Sequence, residues 1–317
     1  MAISSQIGPV PAAFSGAILS RRIKRLFFAT RPKFFPASML PIIAGTAWGW
    51  QETQNLDSVA VLLALLATVL VHAGGNVIND VSDDANGTDR HNQDWIYPYT
   101  GGSRFIQAGI LSSAAMRRWG IGLLVGALLA GTLLWQRHGI PVVWMGLSGI
   151  ALGLAYSLRP LRLNARGLGE LCVAMAFGVL PVCGAAWLQG ARLTPELLLF
   201  SIPVSLWVAN ILLANEFPDR HADATAGKRT LVVRLGVDAS VRLYAVSNII
   251  ALVAVVGLSA QEKLSVLGFA TILLLPLALN AAKQLKQGSK PALVRAALEK
   301  TLAIHTVGTL LLLAAVF

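Results

Sequence analysis

Eight of the fifteen carboxylates in the chain fall in two short segments. Asp80, Asp83, Asp84, Asp89 and Asp94 lie in the first, and Glu216, Asp219 and Asp223 in the second. The surrounding sequences, NVINDVSDDANGTD at 76–89 and NEFPDRHAD at 215–223, share the pattern Asn, three residues, Asp, three residues, Asp. Residues four apart stack on one face of a helix, so Asn76, Asp80 and Asp84 form one polar stripe and Asn215, Asp219 and Asp223 another. Asp83 is a second acid that helical stacking brings within reach of Asp80. Both stripes follow the C-terminal end of an apolar run, where the helix dipole is already negative, so a positive group is required there. Mg²⁺ takes one or two carboxylates, keeps waters, and shares its remaining positions with a phosphate-bearing ligand. Two facing stripes therefore predict a Mg²⁺–diphosphate site. One such motif alone reads as a solvated loop. Its repetition, and two asparagines placed inside apolar stretches where unpaired polar groups are costly, favour the chemical reading.

Donors for a phosphate follow each stripe. Gly101-Gly102-Ser103-Arg104 offers backbone N–H groups that glycine lets approach an anion, together with a guanidinium suited to bidentate oxygen contacts. Gly227-Lys228-Arg229-Thr230 offers the same chemistry after the second stripe. Each is weak alone, since a glycine turn with a snorkelling basic residue is common at a membrane edge. Their order, repeated after both stripes, gives them weight.

The elements that must position these residues are transmembrane helices. Of 317 residues, 55% are hydrophobic and 13% charged, and the mean hydropathy is +0.65. That composition excludes a water-soluble globule and a disordered chain. Apolar windows at 34–50, 58–80, 117–136, 141–158, 169–189, 196–216, 237–259, 264–284 and 301–317 predict nine spans. The fold class is therefore all-α: a polytopic bundle of nine transmembrane helices, with residues 1–30 as an N-terminal segment and 31–317 as one membrane domain. The first 20 residues lack the pattern of a removable signal peptide. With nine crossings, 23 of the 26 Lys and Arg residues fall on one face, leaving Arg137, Arg192 and Lys263 on the other. The positive-inside rule makes the basic face cytoplasmic, together with the N-terminus and both acidic segments. The net charge of +11 is then explained by the membrane surface, with no nucleic-acid partner. Cys172 and Cys183, eleven residues apart on one span, read as packing residues.

The sequence resembles the UbiA superfamily of intramembrane prenyltransferases. The resemblance is carried by RPKFFP before span one, NVINDVSDDANGTD, GGSRFIQAG, YSLRPLRL, RGLGELCV, and NEFPDRHADATAGKRTLVVRLG after span six. GGSR, RGLGE and GKRTLVVRLG look most like the branch that prenylates 1,4-dihydroxy-2-naphthoate in menaquinone synthesis. The resemblance implies a central cavity under a cytoplasmic acidic cap in a bacterial plasma membrane. It implies Mg²⁺-dependent transfer from a polyprenyl diphosphate to an aromatic acceptor, with the prenyl tail among membrane lipid. Asn76, Asp80, Asp84, Asn215, Asp219 and Asp223 would be the catalytic residues, with Asp80, Asp83 or Asp84, Asp219 and Asp223 as the metal ligands, since helical stacking permits either Asp83 or Asp84 beside Asp80. Arg104, Lys228 and Arg229 would hold the diphosphate. Arg31, Tyr156 and Arg159 would line the same cavity. Glu216-Phe217-Pro218 departs from the branch, which more often has a second Asn and a basic residue there, and this leaves the acceptor open among the naphthoate, 4-hydroxybenzoate, homogentisate and glyceryl phosphate. Glu170 reads either as an acceptor-site group or as an acid complementing a positive helix end. A divalent-cation transporter is the rival class. Its weakness is that the acids cluster at one rim instead of continuing through the bilayer.

Overall fold

The computed structural model describes residues 8–16, 18–157, 159–288 and 290–317. The start of the N-terminal segment, residues 1–7, lies outside the described residues, as does Leu158 at the end of the predicted fourth span. An amphipathic helix, α1 (Leu19–Ala29), comes first and is followed by the first bundle helix, α2 (Pro36–Thr53). Asp57 caps α3 (Ser58–Ala85) by accepting the Ala60 N–H at 2.9 Å. A short helix, α4 (Thr88–His91), and a long connection lead to α5 (Ser113–His138), capped by Ser112, and then to α6 (Ile140–Ser157). The next span, Gly169–Leu188, is assembled from α7 (Gly169–Ala174), a π turn at Met175–Val179 and α8 (Leu180–Leu188). It is followed by α9 (Pro195–Thr225), capped by Thr194, and by α10 (Leu231–Ala260), which bends at Gly236. A 3-10 stretch, Val266–Leu273, runs into α11 (Leu274–Leu285), and α12 (Pro291–Ala315) closes the chain.

Eight of these helical units are long and apolar enough to cross a membrane. The first predicted span, α2, is helical where expected but is not among the eight, its apolar content being diluted by Pro36, Pro41 and the polar end Gln51-Glu52-Thr53. It nevertheless packs inside the bundle against α8, where Ala44, Ala47, Val182 and Ala186 share one core with Phe200, Val204 and Trp207 of α9. α9 is the axis of the molecule, contacting α10, α12 and α7, while α3 and α5 pair beside it. Large apolar side chains such as Leu62, Leu66, Leu128, Leu129, Ile250 and Val253 are exposed on the outside. In water that surface would be unstable, but against hydrocarbon it is the expected exterior.

The helix directions gather the site. The C-terminal ends of α3 and α9 and the N-terminal end of α12 meet at one end of the bundle. There Arg295 donates to the Tyr97 carbonyl at 2.8 Å, and the Tyr99 hydroxyl donates to Glu299 at 2.9 Å. At the other end Asp57 pairs with Arg137 at 3.0 Å, and the Ser265 N–H donates to the Ala315 carbonyl at 2.7 Å.

Candidate active site

The two acidic stripes meet. Lys228, buried between them, donates to Asp83 at 2.7 Å and lies 3.9 Å from Asp223. A second tie joins Asn92, in the connection after α4, to Asp219 at 2.7 Å. Asp219 also receives the Gly101 N–H at 3.4 Å, so the first glycine turn reaches the second stripe. Burial works against the charge on Lys228, but Asp83 and Asp223 outweigh it and hold the ammonium above its ordinary pKa. The lysine is thus fixed as a cation bridging the ends of α3 and α9.

The acids of the first stripe do not all face the same way. Asp80 is buried, accepts an ion-paired hydrogen bond from Arg31, and receives the Ser103 N–H at 2.9 Å. Arg31 stands in the left-handed region at φ 56°, and the preceding residue is pinned by Asn76, whose amide donates to the Thr30 carbonyl at 3.1 Å. Asn76 therefore acts in this structure through the position of Arg31. Burial again opposes the guanidinium charge, and Asp80 and Asp89 override it. Asp83 turns toward the second stripe and Lys228, and Asn79 donates to it at 2.9 Å. Asp84 turns the other way, held by Arg90 through Nε at 3.0 Å and Nη2 at 3.2 Å, with Gln107 donating at 3.3 Å. Of the two adjacent acids, Asp83 is the one turned toward the facing helix.

The glycine turn closes over this arrangement. Gly102, at φ 78°, has no room for a side chain: a Cβ would stand 2.8 Å from Asp89 Oδ2, 3.1 Å from Asp80 Oδ1 and 3.1 Å from Arg31 Nη2. Asp89 is buried, and its Oδ2 has no hydrogen-bond partner. Burial, then the charges of Asp83 and Asp80, push its pKa up to about 8, with Arg31 and Arg104 opposing. Arg104 stacks on Trp95 at 4.5 Å and donates to the backbone carbonyls of Asp89 and Asn92, the latter at 3.1 Å. In this arrangement it fastens the loop that carries Asp89.

The remaining predicted residues are less central. Arg229 is exposed and makes no ion pair with either stripe; its N–H donates to the Ala165 carbonyl at 3.0 Å. Arg159, also exposed, lines a groove of about 250 Å³ with Ser82, Asn86, Ser157 and Arg162 beside the end of α3. Tyr156 is half-buried over Gly169, where a Cβ would be 3.5 Å from its Cε2. Asn215 is half-buried on α9. A larger depression of about 370 Å³, near Gln51, Lys263 and Phe317, lies at the opposite end of the bundle, away from every candidate. Among the described residues no three acids stand together at metal-ligand spacing. Most are instead neutralised by the chain's own basic and amide groups.

Sequence reasoning missed Asn79, Asp89 and Asn92 as parts of the site. Asn79 and Asp83 have the same four-residue spacing as Asn76 and Asp80, so the signal was present in an overlapping frame. Asp89 and Asn92 lie beyond the Asn86-Gly87 turn, where helical periodicity carries no information.

Apolar helices enclosing a polar centre at one rim, where acidic helix ends are joined through basic residues, define an integral membrane protein with a site suited to a polyanion and its counter-cations. The profile of the UbiA prenyltransferase family matches residues 38–307, and the chain belongs to that family of prenyl-group transferases. It is 30% identical to the 1,4-dihydroxy-2-naphthoate octaprenyltransferase of Escherichia coli (strain K12), over 90% of this chain and 93% of that one. The enzyme of the same name from Bacillus subtilis (strain 168) is 26% identical over 89% of this chain and 88% of its own length. Among solved structures, a UbiA homolog from Archaeoglobus fulgidus bound to DMAPP and Mg²⁺ superposes with a TM-score of 0.63, covering 92% of this chain and 99% of that one at 17% identity. That likeness establishes the fold.

Proposed function

We propose that this protein transfers a polyprenyl group from an allylic diphosphate to an aromatic acceptor, 1,4-dihydroxy-2-naphthoate, in a Mg²⁺-dependent step of menaquinone synthesis at the cytoplasmic rim of a bacterial plasma membrane. The observation that carries the reading is the joining of both acidic stripes through Lys228 beside the Gly102 cradle. The acceptor is favoured by similarity to naphthoate octaprenyltransferases over most of both chains.

The residues fit a divalent metal. Asp89 presents a buried oxygen with no partner, and the space in front of Gly102 is bounded by oxygens of Asp80 and Asp89. Asp80, Asp83 and Asp89 from the first segment and Asp219 and Asp223 from the second are the hard-oxygen ligands available, with Asp84 reaching the site only if it leaves Arg90. When bound, Mg²⁺ supplies neutralising charge for the diphosphate and its departing oxygens.

The chain's own groups do the rest. Lys228 and Arg31 lie where a diphosphate would compete with Asp83 and Asp80 for them, so anion binding exchanges one set of charge-assisted hydrogen bonds for another. The N–H groups of the Gly101–Ser103 turn are directed at Asp219 and Asp80 in the same place. As the allylic carbon–oxygen bond breaks, positive charge develops on carbon, and the Tyr156 ring can stabilise it by roughly 0.5–2 kcal/mol. The apolar interior excludes water that would otherwise capture the cation. The ring carbon that bears the carboxylate then forms the new bond, and as carbon dioxide departs the electron pair of the breaking ring–carboxylate bond returns to the ring and restores aromaticity.

Purified protein incubated with Mg²⁺, a labelled prenyl diphosphate and a panel of aromatic acceptors should yield a prenylated, decarboxylated naphthalene product by mass. Asp80→Ala and Asp219→Ala should each abolish turnover in folded protein. Full activity of either would remove the metal assignment, and product formed only with a different acceptor would correct the substrate.

A further inference from the structure

Two buried carboxyls stand apart from the diphosphate machinery. Glu170, at the start of α7, and Glu216, on α9, approach within hydrogen-bonding reach of one another. Both are buried, at 9% and 6% exposure, and neither has a basic partner among the described residues. Glu216 receives the Val232 N–H at 3.2 Å. Both oxygens of Glu170 are shielded from solvent and receive no N–H or amide donor. Asp80, Asp83, Asp84, Asp219 and Asp223 differ in this respect, since each has a cation or an amide partner. A buried carboxyl without donors costs stability unless something supplies them.

The pair lies next to the reacting region. Tyr156 packs against Gly169, the residue before Glu170, where a Cβ would be in ordinary contact with its ring at 3.5 Å. Glu216, Glu170, Asp83 and Asp223 all lie within electrostatic range of the Tyr156 hydroxyl. The span carrying Glu170 is also interrupted by the π turn at Met175–Val179, a departure from α-helix that recurs at functional sites.

We propose that Glu170, backed by Glu216, seats a ring hydroxyl of the aromatic acceptor and so selects acceptors whose edge toward this pair carries O–H donors and no anionic group. The proposal rests on the prenyl-transfer reading and deepens it. A phenolic O–H donates to Glu170, which fills its empty acceptor capacity. A carboxylate presented at the same edge meets two carboxyls and is rejected. For a hydroxynaphthoate, this orients the ring with a hydroxyl toward α7 and its carboxylate away from the Glu170–Glu216 pair.

The test uses the full-length protein in lipid with Mg²⁺, a labelled prenyl diphosphate, and 1,4-dihydroxy-2-naphthoate alongside its two mono-O-methyl ethers. Wild type should discriminate against one ether by about tenfold to a hundredfold in kcat/KM, the range for a lost hydrogen bond to a charged group. Glu170→Ala should raise the KM for the diol by a similar factor, leave the KM for prenyl diphosphate within about twofold, and erase the discrimination between diol and ether. Glu170→Gln, which keeps one acceptor oxygen, should restore part of that discrimination, and it carries the comparison alone if the alanine variant does not accumulate. Discrimination unchanged in the variants, or both KM values rising together, overturns the proposal while leaving prenyl transfer intact. Absence of transfer by wild type to any aromatic acceptor overturns the parent reading and this one with it.

Discussion

Gly102 shows how narrowly the site is drawn at the scale of one residue. Its φ of 78° is one an L side chain adopts at a cost of about 1–2 kcal/mol, and its Cβ would enter the space that Asp80, Asp89 and Arg31 enclose. Gly102→Ala should therefore lower turnover by about a hundredfold, the scale of a small misplacement of reacting groups, while the variant still folds in detergent. Equal kcat for the two proteins would show that nothing binds in front of this glycine. Asp89 permits a test without substrate. Its carboxyl keeps a proton in the folded protein up to about pH 8, whereas an unfolded aspartate loses it near the ordinary value of 3.8. Between those values the unfolded chain binds fewer protons at this group, so its contribution to stability falls as pH rises. Asp89→Asn should accordingly flatten the decline in thermal midpoint of metal-free protein between pH 4 and 8, and an unchanged slope would contradict the assigned burial. Sequence alone could not choose between Asp83 and Asp84, because both are reachable from Asp80 on a helix. Which way each side chain faces is set by tertiary partners, Lys228 for Asp83 and Arg90 with Gln107 for Asp84, that come from 145 and 6 or 23 residues away.

Helix–helix contact explains why the elements hold the site at a fixed geometry. α2 approaches α8 through Gly45 and Gly49, one helical turn apart. A Cβ on Gly45 would land on the Val182 carbonyl, and one on Gly49 would stand 2.6 Å from the Ala186 carbonyl. Lipid offers no hydrophobic reward for helix association, so such close backbone packing is the main source of cohesion. Gly45→Ala should cost about 1–3 kcal/mol by overpacking, read as a lowered thermal midpoint in detergent, because backbone cannot yield as a side chain would. An unaltered midpoint would mean that α2 is free to shift from α8. The apolar windows located each helix but not its polar turns: α12 begins at Pro291 and α10 at Leu231, ahead of the windows opening at 301 and 237, and the site-bearing helices run past their predicted ends. α3 continues to Ala85 and α9 to Thr225, beyond the windows ending at 80 and 216. Hydropathy records where hydrocarbon stops, while the helix continues as long as its polar turns find partners such as Lys228 and Asn92. Pro218 lies inside α9 without ending it. The π turn in the fifth span leaves no mark in periodicity, since one extra residue in a wholly apolar run changes no pattern.

For the whole molecule, charge and fold combine into a statement about sidedness. The elements bearing 23 of the 26 basic residues end at the pole where Lys228, Arg31 and the acids meet, while Arg137 pairs with Asp57 at the other pole. Lys/Arg asymmetry of this size predicts insertion with the basic pole in the cytoplasm, where the proposed reaction would let a water-soluble diphosphate headgroup enter without crossing hydrocarbon. The exposed positions Asn55 and Gln261 belong to one pole and Ala226 and Gln287 to the other, and the two native cysteines are buried, so introduced thiols can report the orientation with little background. Asn55→Cys and Gln261→Cys should react with a membrane-impermeant maleimide in intact cells or spheroplasts. Ala226→Cys and Gln287→Cys should react only after the membrane is opened. The reverse pattern would place the acidic site outside the cell, away from the reducing, diphosphate-supplying compartment that the proposed reaction requires, and would separate the family's chemistry from the charge rule in this chain.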